Sequence, residues 1–234
     1  VLVWILAAMV SARSAAMGFN RIVDAQIDAR NERTAIREIP AGILTQKEAI
    51  VFVLISSAVF IFSAGMLSRL CLLLSVPVLF LLLFYSYTKR FTRYCHLYLG
   101  FVISLAPIGA WVAVSGTLSW GVVFLSLALM TYIAGFDILY ACQDIDFDRE
   151  QGLHSLPAKL GAAKAMMIAR ILHGLTLVCF VIMHLLFQLH PVFIGFILII
   201  AVLLFIEHRL VQPDNLTHIN IAFFHMNSMI SVVL

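Results

Sequence analysis

Charge is scarce in this sequence. Lysine, arginine, aspartate and glutamate make up 12% of its 234 residues, whereas a soluble domain carries about 25%. That shortage excludes an ordinary solvated globule. Cysteine is nearly absent: Cys71, Cys95, Cys142 and Cys179 stand alone, without metal-site spacing, which excludes a disulfide framework. Phosphate-cradling glycine loops are missing as well. No Gly-x-Gly-x-x-Gly or Gly-Lys-Ser run occurs, so the dinucleotide-binding and P-loop classes drop out. No basic surface interleaved with aromatics is visible, and no nucleic-acid partner is expected. Nor do alternating segments of about ten residues, the mark of spanning strands, stand out.

What the sequence has is long apolar runs. It is 63% hydrophobic, with a mean hydropathy of +1.05. Between clusters of charge lie runs near the length of about 20 residues that a helix needs to cross a bilayer. The candidate spans are 1–24, 47–67, 70–88, 97–115, 119–143, 163–186, 190–210 and 218 onward. They predict an all-α, multi-span transmembrane bundle of eight helices, with residues 1–234 forming one domain and lipid as its surroundings. Pro77, Pro107 and Pro191 fall within or beside these spans, where membrane bundles tolerate them. Residue 1 is Val, and the sequence opens and closes inside apolar stretches, so it reads as truncated at both ends.

Alternate loops differ sharply in charge. One side receives Arg21, Arg30, Arg33, Arg37 and Lys47, then Lys89, Arg90 and Arg93, then Arg149, Lys159 and Lys164, then Arg209. These are 12 of the 15 basic residues. The other side receives Arg69 alone, while Arg13 and Arg170 lie within spans. Short loops rich in lysine and arginine face the cytoplasm, which orients the bundle.

Two acidic clusters lie on that cytoplasmic side. In the first, Asn20, Asp24 and Asp28 are four residues apart and share one face of a helix. In the second, Asp144 and Asp148 repeat the spacing, and Asp137, seven residues before Asp144, falls on the same face of a continuous helix; Asp146 points elsewhere. Stacked carboxylates near a membrane are costly unless paired or bound to metal. Magnesium prefers hard oxygen ligands and commonly bridges carboxylates to phosphates, so facing stripes would hold Mg2+ and a diphosphate. A solvated helix end explains either cluster singly, and an ion-translocating path is the alternative for both.

Basic residues accompany the stripes. Arg33 and Arg37 come after the first, and Tyr85 and Lys89 close the third span; guanidinium forks and ammonium groups suit phosphate oxygens. Ordinary positive-inside charge accounts for Arg90 and Arg93. Arg13, seven residues before Asn20, is expected to be buried and to meet an anionic substrate or Asp137. Among the histidines, His154 lies near the second cluster, whereas His173, His184 and His190 are isolated; His218 and His225 are seven apart without a metal-site setting.

These motifs together resemble the UbiA family of intramembrane aromatic prenyltransferases. The resemblance spans nearly the whole chain. It rests on Asn20, Asp24 and Asp28; on Arg33-Thr34-Ala35-Ile36-Arg37, where the family's proline is delayed to Pro40; on Tyr85, Lys89 and Arg90; and on Asp137, Tyr140, Ala141, Asp144 and Asp148. The resemblance implies nine helices around a cavity, of which the family's second to ninth would account for the eight spans. It implies Mg2+ bridging both aspartate motifs to a polyprenyl diphosphate. Asn20, Asp24, Asp28, Asp137, Asp144 and Asp148 would be its ligands. Asp24, Asp28, Asp144, Asp148, Arg37 and Lys89 would be the catalytic set, and Arg13, Arg33, Arg37, Tyr85, Lys89 and Tyr140 would bind substrate. The run from Ser11 to Arg21 looks like a bacterial branch, which implies a bacterial inner membrane with the metal site toward the cytoplasm. The acceptor implied is an aromatic acid in quinone biosynthesis: 4-hydroxybenzoate on the ubiquinone route, or a futalosine-type intermediate on the menaquinone route. Asn20-Arg21, where many 4-hydroxybenzoate enzymes have Asn-Asp, is the departure that keeps the second acceptor open. No obligate protein partner is implied. An ion-coupled transporter is the alternative from a different class.

Overall fold

A computed structural model describes residues 1–213, 219 and 227–233. Among these residues the regular structure is helical. The long helices are α1 (Leu2–Asp28), α2 (Gln46–Leu67), α3 (Arg69–Thr88), α4 (Cys95–Ser115) and α5 (Trp120–Ala141). A 3₁₀ turn (Cys142–Asp144) leads into the short helices α6 (Ile145–Glu150) and α7 (Leu156–Leu160). Next come α8 (Ala162–Phe187), α9 (Val192–Leu210) and α10 (Asn227–Val233). Seven segments among the described residues are long and apolar enough to span a membrane, the fifth running from Trp120 to Glu150. The chain is an integral, multi-span membrane protein. The first seven expected spans match these segments, with ends differing by a few residues except at Glu150. The eighth, from 218 onward, lies mostly outside the described residues.

The chain forms two compact units: Val1–Thr88 with Gly109–Thr117, and Lys89–Ile108 with Leu118–Leu234. In the first, α1 packs on α2 and α3. Its buried positions include Ser11 and Ala15, then Asp24 and Asp28, each pair one helical turn apart. Gly18 extends the close approach, since a Cβ there would lie 2.9 Å from Val53 Cγ2 on α2. Small residues permit such contact where lipid offers helices no hydrophobic reason to associate. Helix α2 begins with a capping box: Thr45 Oγ1 accepts from the Glu48 amide, and Glu48 accepts from the Thr45 amide. This satisfies two amides that a helix start otherwise leaves open.

The second unit is built on α5 and α8, with α9 packed against α8. Ala128, Tyr132, Phe180, Met183 and Ile200 form one apolar cluster; Ile138, Leu139, Met166 and Ala169 form another, nearer the second acidic motif. Large apolar side chains also point outward. Leu73, Phe80 and Phe205 are more than 60% exposed, which in water would invite association and in a bilayer meets lipid.

Candidate active site

The first acidic stripe forms the end of α1. Asp24 and Asp28 are 2% and 4% exposed. Asn20 Nδ2 donates to Asp24 Oδ2 at 2.9 Å. After α1 the chain turns back through residues 29–44, and Arg37 Nη1 comes within 2.7 Å of both carboxylate oxygens of Asp28. Thr34, also buried, donates from Oγ1 to the Asp28 carbonyl at 3.1 Å, which fixes that return. The stripe expected from the spacing is therefore present, and Arg37, expected at a phosphate, pairs with its last carboxylate. The physical reason is that a buried carboxylate without a partner is strongly destabilising. Arg33 is half-buried, and its amide donates to Asn31 Oδ1 at 3.0 Å.

Arg13 corrects an expectation. Its place in the sequence predicts burial, yet it is exposed on α1. The buried positions at its level of the helix are Ser11 and Ala15, whose size favours helix contact; the long guanidinium side chain lies off that line. Tyr85 is half-buried near the end of α3, and its carbonyl accepts from Thr88 Oγ1 at 2.6 Å.

The second stripe lies on a helix that is interrupted rather than continuous. An unbroken α-helix would place Asp137 on one face with Asp144 and Asp148. Instead, α5 ends at Ala141 and residues 142–144 form a 3₁₀ turn. Three residues at about 120° each rather than about 100° rotate the next stretch of chain by about 60°. Asp144 occupies the N-cap position of α6 without making a side-chain capping bond. Asp148 Oδ2 accepts from Ser155 Oγ at 2.6 Å, and Asp144 and Lys89 are near enough to act on it electrostatically. Asp146 faces away as expected, its side chain 94% exposed. Tyr140 is half-buried, and its carbonyl accepts from Gln143 Nε2 at 3.1 Å.

The loop from 151 to 155 braces this motif. The His154 amide donates to the Lys89 carbonyl at 2.7 Å, and the His154 carbonyl accepts from Cys95 Sγ at 3.5 Å. Ser155 caps α7 by accepting from the Ala158 amide, besides donating to Asp148. His154 thus acts here through its backbone. One participant escapes the sequence reading: His96 places Nδ1 2.6 Å from Asp137 Oδ2. Its only sequence signal is an ionisable side chain at the start of an apolar span.

Among the described residues, no three histidine, cysteine or acidic side chains converge on one point as a self-sufficient metal cage. Each stripe instead offers a few oxygen donors. That set fits magnesium, which typically takes one or two carboxylates and completes its shell with water and substrate phosphate.

The comparisons with known proteins agree on the family. A polyprenyl transferase of Arthrobotrys oligospora is 33% identical over 156 residues, which are 65% of this chain and 42% of that protein. The 4-hydroxybenzoate octaprenyltransferase of Vibrio campbellii is 30% identical over 201 residues, 86% of this chain and 70% of that protein. The chain thus spans less than half the length of the fungal relative. Among solved structures, the apo structure of a UbiA homolog from Aeropyrum pernix K1 matches with a TM-score of 0.90 and 30% identity, covering 99% of this chain and 87% of that one. A UbiA homolog from Archaeoglobus fulgidus bound to GPP and Mg2+ shares the fold, with a TM-score of 0.75 at 16% identity, covering 99% of this chain and 84% of that one. The model of the UbiA prenyltransferase family matches residues 1–229, and the chain belongs to that family.

Proposed function

We propose that this prenyltransferase moves a polyprenyl group from polyprenyl diphosphate to an aromatic acid within the membrane, in the service of quinone biosynthesis. The observation that carries the reading is the pair of acidic stripes, each beside a basic side chain: Asp24 and Asp28 with Arg37, Asp144 and Asp148 with Lys89. Asp24, Asp28, Asp144 and Asp148 would hold magnesium, with Asn20 and Asp137 in support. Bound there, magnesium supplies charge neutralisation for a departing diphosphate. A protein of the same fold is described with GPP and Mg2+, which supports this use of the stripes.

The chain's own residues do the rest. Arg37 and Lys89 offer donors to phosphate oxygens, with Arg33, Tyr85 and Tyr140 nearby in sequence to complete the substrate contacts. The bond between the prenyl carbon and the diphosphate oxygen breaks, its electrons leaving with diphosphate. An aromatic carbon of the acceptor forms the new bond, and the ring gives up a proton. Apolar walls keep water from the cation-like carbon.

The acceptor we assign is 4-hydroxybenzoate, the substrate named for the Vibrio relative. Arg13, exposed on α1, would offer an acidic acceptor a charge partner. The departure at Asn20-Arg21 favours a bulkier futalosine-type intermediate as the second reading. The site would face the cytoplasm, a reading that the basic loops support, in the inner membrane of a bacterium, which the Vibrio relative supports. A head-to-head prenylation assay on the full-length protein tests the assignment: faster product formation from 4-hydroxybenzoate is expected, and preference for the larger intermediate would overturn it while leaving the metal chemistry intact.

A further inference from the structure

His96 is the second residue of α4, and Asp137 lies near the end of α5. Their 2.6 Å contact joins the two helices at the second acidic motif. An ionised carboxylate can only accept, so imidazole Nδ1 carries the proton and donates. The ring is 4% exposed, and its other nitrogen, Nε2, is buried without a hydrogen-bond partner among the described residues. Burying an unbonded polar atom costs stability. A leucine or methionine would fill the same volume without that cost. The histidine therefore makes little sense as packing, and its Nδ1 is spent on Asp137.

The surroundings hold the ring in place. The adjacent Cys95 donates through Sγ to the His154 carbonyl, and the His154 amide donates to the Lys89 carbonyl. Ser155, next in the same loop, holds Asp148. The first turn of α4 and the segment after the second motif are thus one braced piece, attached to the motif at Asp137 and at Asp148.

We infer that His96 is a positioning residue for the second acidic motif: its Nδ1–H fixes the Asp137 carboxylate in the orientation that supports magnesium and diphosphate. The inference rests on the reading under Proposed function and concerns orientation alone. Outer hydrogen-bond partners of metal-binding side chains commonly act in this way.

The test is magnesium-dependent binding of an unreactive prenyl thiolodiphosphate to the full-length protein, followed directly and beside turnover. His96→Asn keeps an N–H donor near the Nδ1 position. His96→Gln carries its donor near the Nε2 position, and His96→Leu has none. Gln and Leu are expected to raise the magnesium concentration for half-maximal analogue binding about 10–100-fold, the usual effect of losing such a partner. Asn is expected to restore most of that loss. KM for the prenyl diphosphate should rise more than kcat falls. Should the leucine variant fail to fold, the comparison of Asn with Gln decides alone. Equal binding by wild type, Asn and Gln overturns the positioning role, as does an Asn variant as impaired as Gln. A wild-type protein that binds no analogue with magnesium overturns the functional reading beneath it, a result distinct from either.

Discussion

Asp28 is a carboxylate at the end of a membrane helix, 4% exposed, with both oxygens on one arginine nitrogen. A charge-assisted bond of this kind contributes about 1.5–3 kcal/mol, and removing one partner leaves the other buried and uncompensated. Arg37→Ala should therefore lower the thermal midpoint in detergent as well as turnover. Arg37→Lys should restore only part of either, because an ammonium is a point charge without the guanidinium's planar fork. The acidic residues separate by exposure. Asp28→Ala and Asp144→Ala should abolish turnover while membrane insertion, followed by fractionation, is kept. Asp146→Ala should stay near wild type, its side chain being 94% exposed. Equal turnover in wild type and Asp144→Ala would sink the two-stripe account.

Helices meet closely where glycine allows it. A Cβ on Gly100 of α4 would collide with the Met130 carbonyl oxygen of α5, a backbone atom that cannot swing aside. Gly100→Ala should thus push α4 from α5 and destabilise the protein by about 1–3 kcal/mol, the usual range for overpacking. Because His96 lies one turn earlier on α4, magnesium-dependent analogue binding should weaken in the same variant. Deeper in the second unit a polar group crosses helices. His173 of α8 lies 3.0 Å from His208 and 3.9 Å from Glu207, both on α9, and 3.3 Å from the Tyr132 carbonyl of α5. His173→Leu should lower the thermal midpoint, because it removes the hydrogen bonds that tie α8 to His208 and to the Tyr132 carbonyl. An unchanged midpoint would contradict that role. Little of this is legible in the sequence. A span announces itself through its apolar length, whereas a 3₁₀ turn at Cys142–Asp144 changes no hydropathy and leaves the motif's spacing intact. His173 and His96 each stand alone in sequence, and the partners that give them meaning lie 35 and 41 residues away.

For the molecule as a whole, the alternation of basic loops and apolar runs carries the class and the span boundaries, since both depend on bilayer thickness and charge. The first acidic stripe is legible for a similarly simple reason: Asn20, Asp24 and Asp28 lie on one uninterrupted helix, so periodicity alone aligns them. The second is legible as chemistry and less so as geometry, because a 3₁₀ turn at Cys142–Asp144 interrupts the helix between Asp137 and Asp148. Arg13 defeats the expectation of burial because periodicity fixes the face of α1 on which it lies, not whether that face is covered at its level. In the proposed reaction, two acidic stripes act through magnesium to let this protein cleave a prenyl diphosphate and transfer the prenyl group to an aromatic acid. The most direct test measures diphosphate release and prenylated product together, on the full-length protein in lipid, with and without chelation of magnesium. Equal amounts of both products are expected, requiring the aromatic acid, lost on chelation and regained when magnesium is restored. Ion flux with no diphosphate release, or transfer that continues undiminished after chelation, would contradict it.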